Sequence, residues 1–204
     1  MAESGSSMHS LIRDARRSRP GALEQLLEAY RNYLRLLART GMDATLQGKA
    51  DPSDLVQETL QKAHQHFDQF RGRTEGALIA WLRQILANNL ADLARRYHVA
   101  GARQVGREQS LEEALLASSA ALDRLLAGQG ASPSESAERR ELAVVLADAL
   151  AELRGDQREV VVLRSLDERS WDEVARRMGR SVGAVRMLWA RALKRLRPLI
   201  EKRL

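Results

Sequence analysis

The segment Ser170–Arg197, SWDEVARRMGRSVGAVRMLWARALKRLR, constrains this chain more than any other. Counting Trp171 as the first position, Ala175 falls fifth, Gly179 ninth and Val185 fifteenth. That spacing supplies a small residue, a turn glycine and a buried aliphatic to two helices meeting at a tight turn. Such a helix-turn-helix lays its second helix in the major groove of DNA. Ser170 and Glu173 form an S-x-x-E capping box for the first helix. Gly179 can end it in the left-handed conformation, and Ser181 can cap the second. In the second helix Val185, Leu188, Trp189, Ala192 and Leu196 share one face at about 100° per residue. Gly183, Met187, Ala190, Arg191 and Lys194 lie opposite, with Arg186 on the flank. A free face that is part cationic and part small or apolar suits phosphate contact combined with base-edge contact. The plain alternative is an amphipathic helix with a solvated basic side; the Ala/Gly/Val spacing favours the DNA reading.

Charge follows the same layout. Residues 169–204 carry eleven Lys/Arg against three Asp/Glu, a net +8 in a chain whose total is +6. Residues 81–107 add five Arg against one Asp, whereas residues 108–152 hold nine acids and three bases. A basic, acidic, basic order predicts two nucleic-acid-facing segments separated by one that avoids phosphate.

The absence of cysteine rules out disulfides, thiolate zinc sites and a cysteine nucleophile, and is compatible with a reducing cytoplasm. No apolar run reaches the roughly 18–20 residues needed to span a bilayer, so no membrane insertion is expected. The start, MAESGSSMHS, lacks a secretory layout; residues 1–9 are read as disordered, with Met1 and Met8 both candidate starts. His64, His66 and Asp68 form a poor metal set, because i, i+2 positions on a helix point apart. Neither a Gly-rich phosphate loop nor a Ser/His/Asp pattern is present. No enzyme, cofactor or metal is expected.

Ala, Leu, Arg and Glu dominate, prolines are few and strand-like alternation is missing, which predicts an all-α protein of two small helical domains. Helices are predicted at Ser10–Arg17 and Gly21–Thr40, then a loop over Gly41–Ala50. The next helix has Asp51 as cap, Pro52 in the first turn and a buried stripe of Leu55, Val56, Thr59, Leu60, Ala63 and Phe67. Asp54, Gln57, Glu58, Gln61 and Lys62 face outward. Phe70–Arg73 is a basic loop, and Glu75–Tyr97 a long helix ending in Arg95-Arg96. Residues 100–137 read as a flexible linker containing one helix, Leu111–Leu126. Glu138–Leu153 and Gln157–Leu166 lead into the helix-turn-helix. The domains are therefore placed at residues 10–99 and 138–204.

These motifs together resemble a bacterial RNA polymerase sigma factor of the sigma-70 family, extracytoplasmic-function group, over about residues 10–200. Asp54-Leu55-Val56-Gln57-Glu58-Thr59 is similar to the family's core-binding helix, and Phe70-Arg71-Gly72 to the loop after it. Ala80-Trp81-Leu82-Arg83 with Asn88, Asp92, Arg95 and Arg96 matches the −10 segment. Ser132–Glu135 matches the opening of the second domain, and Arg158–Val160 with Ser170–Leu196 the −35-reading segment.

The resemblance implies an alternative sigma factor: a region 2-like domain that binds core polymerase and melts the −10 element, and a region 4-like domain that reads −35. The polymerase contacts would be Asp54, Gln57, Glu58, Gln61 and Lys62, docking on the largest subunit's coiled coil, with the flap as a further polymerase contact. The −10 contacts would be Phe70, Arg71, Arg73, Arg83, Asn88, Asp92, Arg95 and Arg96. The −35 contacts would be Ser181, Gly183, Arg186, Met187, Ala190, Arg191 and Lys194. Promoter DNA and core polymerase are the implied partners, an anti-sigma protein or other regulator a further one, and the cytoplasm the implied location.

From the residues alone, the Asp54–Lys62 face also reads as solvated surface, Asn88 as a surface amide and Trp81 mainly as core. The chain departs from the family at Met187 and Leu188, where polar or basic residues are usual. Met187 either meets a thymine methyl or stands as bare surface. No sensory domain is expected after the helix-turn-helix. A free-standing dimeric transcription regulator is the competing function, and a helical protein-interaction module a weaker one.

Overall fold

The computed structural model of the chain describes residues 3–42, 46, 48–98 and 133–203. Those residues form helices and turns and no strand, as composition predicts. They fall into two units, divided between Ser119 and Ala120. The predicted helix Leu111–Leu126 lies outside the described residues.

The first unit contains α1 (Glu3–Arg16), α2 (Ala22–Glu28), α3 (Arg31–Gly41), α4 (Pro52–Gln65), a 3₁₀ turn at Phe67–Gln69 and α5 (Glu75–His98). Asp51 caps α4 by accepting from the Ser53 backbone N–H at 2.7 Å. The predicted α4 stripe, Leu55, Val56, Thr59, Leu60 and Ala63, is buried along with Phe67. It packs on Leu78, Leu82, Leu86 and Leu90 of α5 and on Tyr33, Leu34 and Leu37 of α3. Apolar burial on this scale is the main force holding such a bundle.

Two expectations need correction here. Residues 3–9, expected within a disordered N-terminus, belong to α1, which begins at Glu3. Ile12 and Ala15 are buried and anchor α1, and once a helix is nucleated, adding residues at its end costs little. The single helix expected over Gly21–Thr40 is two helices, broken at Ala29–Tyr30. Tyr30 takes φ −101°, ψ 0° and sends its hydroxyl inward, where it donates to the buried Glu75 carboxylate at 3.0 Å. Leucine periodicity runs through the break because both helices bury against one core.

The second unit contains α6 (Pro133–Ala151), α7 (Gly155–Val161), a π-helical turn at Val162–Leu166, α8 (Trp171–Met178) and α9 (Val182–Glu201). α6 starts five residues before the expected Glu138, so residues 133–137 of the expected linker are helical. Proline is well tolerated in a first turn, where its missing N–H has no helical partner to lose. Arg158 donates to the carbonyls of Leu150, Ala151 and Leu153 at 2.9, 2.6 and 3.1 Å. It thereby caps the C-terminal end of α6, where carbonyls lack further helical donors. The wider turn after α7 closes with Asp167 N–H on the Val162 carbonyl at 2.9 Å, leading into the α8–α9 pair.

Candidate nucleic-acid interface

The α8–α9 corner forms as its sequence predicts. The Ser170 hydroxyl accepts from the Glu173 N–H at 3.3 Å, and the Glu173 carboxylate accepts from the Ser170 N–H at 2.9 Å. Gly179 ends α8 at φ 61°, and Ser181 caps α9 by accepting from the Ala184 N–H at 3.3 Å. Val174, Ala175, Val185, Leu188, Ala192 and Leu196 are buried between the helices and the rest of the unit. The opposite face of α9, comprising Gly183, Met187, Ala190, Arg191 and Lys194, is exposed, as are Ser181 and Arg186. Met187 is 57% exposed, the most exposed of the large apolar side chains among the described residues. Leu188, the other departure from the family pattern, faces the core and is not available to DNA.

Arg186 is supported from below. Its guanidinium lies 5.6 Å from the Trp171 ring centre, and that of Arg164 lies 5.0 Å from the same ring. Trp171 meets Trp189 edge-on at 5.6 Å, and the Trp189 indole N–H donates to the Ser165 hydroxyl at 3.2 Å. This chain of contacts limits the rotamers of Arg186 at the exposed flank of α9. Sequence reasoning put Trp189 on the inner face but did not show that Trp171 carries two guanidiniums.

In the first unit, Asp54, Gln57 and Gln61 project from α4 into solvent, while Glu58 and Lys62 are half-buried. Lys62 Nζ meets Glu58 at 2.9 Å, donates to Asn89 Oδ1 at 2.5 Å and lies 3.9 Å from Asp92. Asp92 also pairs with Arg95, and Glu58 with Arg96 at 3.7 Å. Glu58 of α4 and Asp92 of α5 thus hold cations from both helices. Exposed pairs of this kind are individually worth about 0–1 kcal/mol, so they set side-chain positions more than stability. Asn88 is exposed and accepts from Gln84 at 3.2 Å, and Arg83 is half-buried.

Asn89, one position on, was missed by the sequence reading. It is 0% exposed and donates to the Thr59 hydroxyl at 2.9 Å, which in turn donates to the Leu55 carbonyl at 2.8 Å. The signal was present: Asn89 stands three residues after Leu86 and four before Leu93, on the buried stripe of α5.

The loop before α5 presents Arg71 and Arg73 to solvent. Phe70 does not join them. It is 5% exposed, with its ring 5.7 Å from Phe67 and 5.3 Å from Trp81. Its ring anchors the loop, since an aromatic flanked by two others gains more from burial than from exposure. Trp81 is half-buried in the same cluster, in keeping with its reading as core.

His64 contacts Glu24 at 3.2 Å, and His66 contacts Gln69 at 3.3 Å. No cluster of three or more His, Cys, Asp or Glu able to hold a metal occurs among the described residues. No described helix is long and apolar enough to cross a membrane. Hydrogen bonds from the Ser170 backbone N–H, then from its hydroxyl, hold the Glu173 carboxyl below its ordinary value. The Ser53 N–H, then the Ser53 hydroxyl, do the same for Asp51.

Comparison with known proteins gives concordant matches to both units. Residues 26–99 match the family described as Sigma-70 region 2, and residues 143–196 match Sigma-70, region 4. The ECF RNA polymerase sigma-E factor of Escherichia coli (strain K12) is 30% identical over 158 residues, covering 74% of this chain and 77% of the relative. That of Salmonella typhimurium (strain LT2) aligns to the same extent. The RNA polymerase sigma factor CarQ of Myxococcus xanthus is 32% identical over 148 residues, covering 72% and 75%. A solved structure of the RsbN-BldN complex aligns over 92% of this chain and 98% of its own at 22% identity, with a TM-score of 0.32.

Proposed function

The chain belongs to the sigma-70 family, in its extracytoplasmic-function group, and from that premise we propose a two-armed promoter reader that works on core RNA polymerase. The coarse role follows from membership: it is an alternative sigma factor for transcription initiation, a specificity subunit and not itself an enzyme. Asp54, Gln57, Glu58 and Gln61 meet the coiled coil of the largest polymerase subunit, with Lys62 held in place beside them. Arg71 and Arg73 of the loop, with Arg83, Asn88, Arg95 and Arg96 of α5, engage the −10 element. Asp92 serves that surface by orienting Arg95 and Lys62. Ser181, Gly183, Arg186, Met187, Ala190, Arg191 and Lys194 read the −35 element.

The observation that carries this reading is the free face of α9. Opposite a buried stripe, it offers cations for phosphates at Arg186, Arg191 and Lys194. Between them lie Gly183, Met187 and Ala190, small or apolar groups able to approach base edges closely. On the first unit, Asn88 brings both a donor and an acceptor, the pair needed to hold an unstacked base by its edge. DNA opening would draw on binding energy, with polymerase supplying the chemistry. This activity belongs in the cytoplasm, where polymerase and promoter are found.

In vitro transcription with core polymerase over a genomic library tests the reading. Promoter-specific transcripts that require both the protein and core polymerase are expected. Tight binding to a palindromic operator without polymerase, and no association with core, would instead establish the free-standing regulator.

A further inference from the structure

We propose that Arg16 of α1 is a positioning residue for the loop Phe70–Thr74, fixing its backbone so that Arg71 and Arg73 meet DNA from a preset geometry. The inference rests on reading that loop as a −10 contact.

Arg16 lies more than fifty residues from the loop in sequence, yet its Nη1 donates to the Gly72 carbonyl at 2.8 Å and the Arg71 carbonyl at 3.4 Å. The arginine stem leaves α1 one residue after the buried Ala15 and four after the buried Ile12, so it springs from a fixed base. The loop is held on its other side as well. Phe70 is packed between Phe67 and Trp81. A Cβ at position 72 would stand 2.5 Å from the Phe70 ring and 2.7 Å from Ala77 Cβ, so glycine is required for this close approach. At the far end the Thr74 hydroxyl accepts from the Ala77 N–H at 3.2 Å. The backbone is therefore pinned at 70, 72 and 74, while the side chains of Arg71 and Arg73 remain in solvent.

The electrostatics point the same way. Residues 70–73 belong to no helix or strand, so the 71 and 72 carbonyls receive no ladder or helical hydrogen bonds. Left bare, they would turn partial negative charge toward approaching phosphates. The Arg16 Nη1 reaches both oxygens at once, and as a charged donor it makes the stronger kind of hydrogen bond. An exposed hydrogen bond of this kind is too weak to hold the fold but strong enough to change the population of one loop conformation about fivefold.

The test uses the full-length protein with core polymerase and a promoter recovered from the genomic library. Arg16→Ala, Arg16→Lys and the double variant Arg71→Ala/Arg73→Ala are compared for melting temperature, core association and strand opening by permanganate reactivity. Binding is also followed against salt. Arg16→Ala is expected to slow opening about fivefold, with melting temperature, core association and salt slope unchanged, and Arg16→Lys to recover part of the rate. Gly72→Ala, which displaces the loop from the other side, is expected to slow opening too.

If Arg16→Ala opens DNA at the wild-type rate while the double variant does not, the loop touches DNA but Arg16 does not position it. A salt slope reduced by about one unit would make Arg16 itself a phosphate contact, and joint loss of melting temperature and core association would make it a structural residue; either overturns positioning. Wild-type opening by the double variant would sink the loop reading and this inference with it.

Discussion

Lys62 Nζ donates to Asn89 Oδ1 at 2.5 Å, and Asn89 donates onward to Thr59 at 2.9 Å. The helix proposed to meet polymerase and the helix proposed to meet the −10 element therefore share a polar joint, buried at Asn89 and Thr59. A buried amide in such a joint is costly to lose, because its partners keep their unmet hydrogen-bonding needs. Asn89→Ala should destabilise the first unit by about 1–3 kcal/mol in urea unfolding. Its exposed neighbour offers the contrast: Asn88→Ala should stay within about 0.5 kcal/mol of wild type while weakening −10 binding. Equal effects on stability would show that the joint carries no energy.

Met187 is proposed to meet a base of the −35 element. Its exposed thioether, between Gly183 and Ala190, fits a thymine methyl group. Replacing that thymine by deoxyuridine removes only the methyl, worth about 0.8 kcal/mol or roughly fourfold in affinity. Scanning deoxyuridine through the −35 element should reveal one such position with the wild-type protein and none with Met187→Ala. A scan that is flat for both proteins would leave Met187 as bare surface.

Arg191 stands exposed on the same face and is proposed to contact phosphate or a base edge. Arg191→Ala should weaken −35 binding, lower the salt slope by about one unit and leave core association intact. Parallel loss of both activities, measured by filter binding and by co-elution with core polymerase, would indicate misfolding.

The capping box at Ser170 makes α8 sensitive to acid. The Glu173 carboxyl is held below its ordinary value of 4.5 by the Ser170 N–H and hydroxyl. Folding therefore favours its ionised form. That contribution is fully present above pH 4.5, declines below it and is gone once the pH falls under the lowered native value. Glu173→Gln keeps a side-chain acceptor for the cap without the charge, so thermal melts from pH 6 to pH 3 should lose part of their slope in this variant. An unchanged slope would mean that other carboxylates dominate acid unfolding.

The two ends of the chain differ in how much their sequence revealed. In α8–α9, the cap, the left-handed glycine, the second cap and the two faces were all legible, because each depends on residues within one or two turns. The α4 stripe and its Asp51 cap were legible for the same reason. The break at Tyr30 was not, since the leucine pattern on either side serves a single core. The burial of Phe70 was not legible either, because its ring neighbours Phe67 and Trp81 come together only in the fold. Asn89 was passed over in favour of Asn88, although the leucine spacing of α5 marked position 89 as inward.

Local chemistry, then, determined from sequence alone that this chain is helical, that it carries a helix-turn-helix corner, and which residues face outward on α9. Caps, turn glycines and helical periodicity act over a few residues, so order along the chain suffices to read them. The third dimension decided that Phe70 is an anchor, that Lys62 and Asn89 join α4 to α5, and that Arg16 reaches across more than fifty residues to the loop before α5. Those relationships depend on which elements pack together and at what distance, and no local pattern encodes a contact whose two halves lie in separate helices.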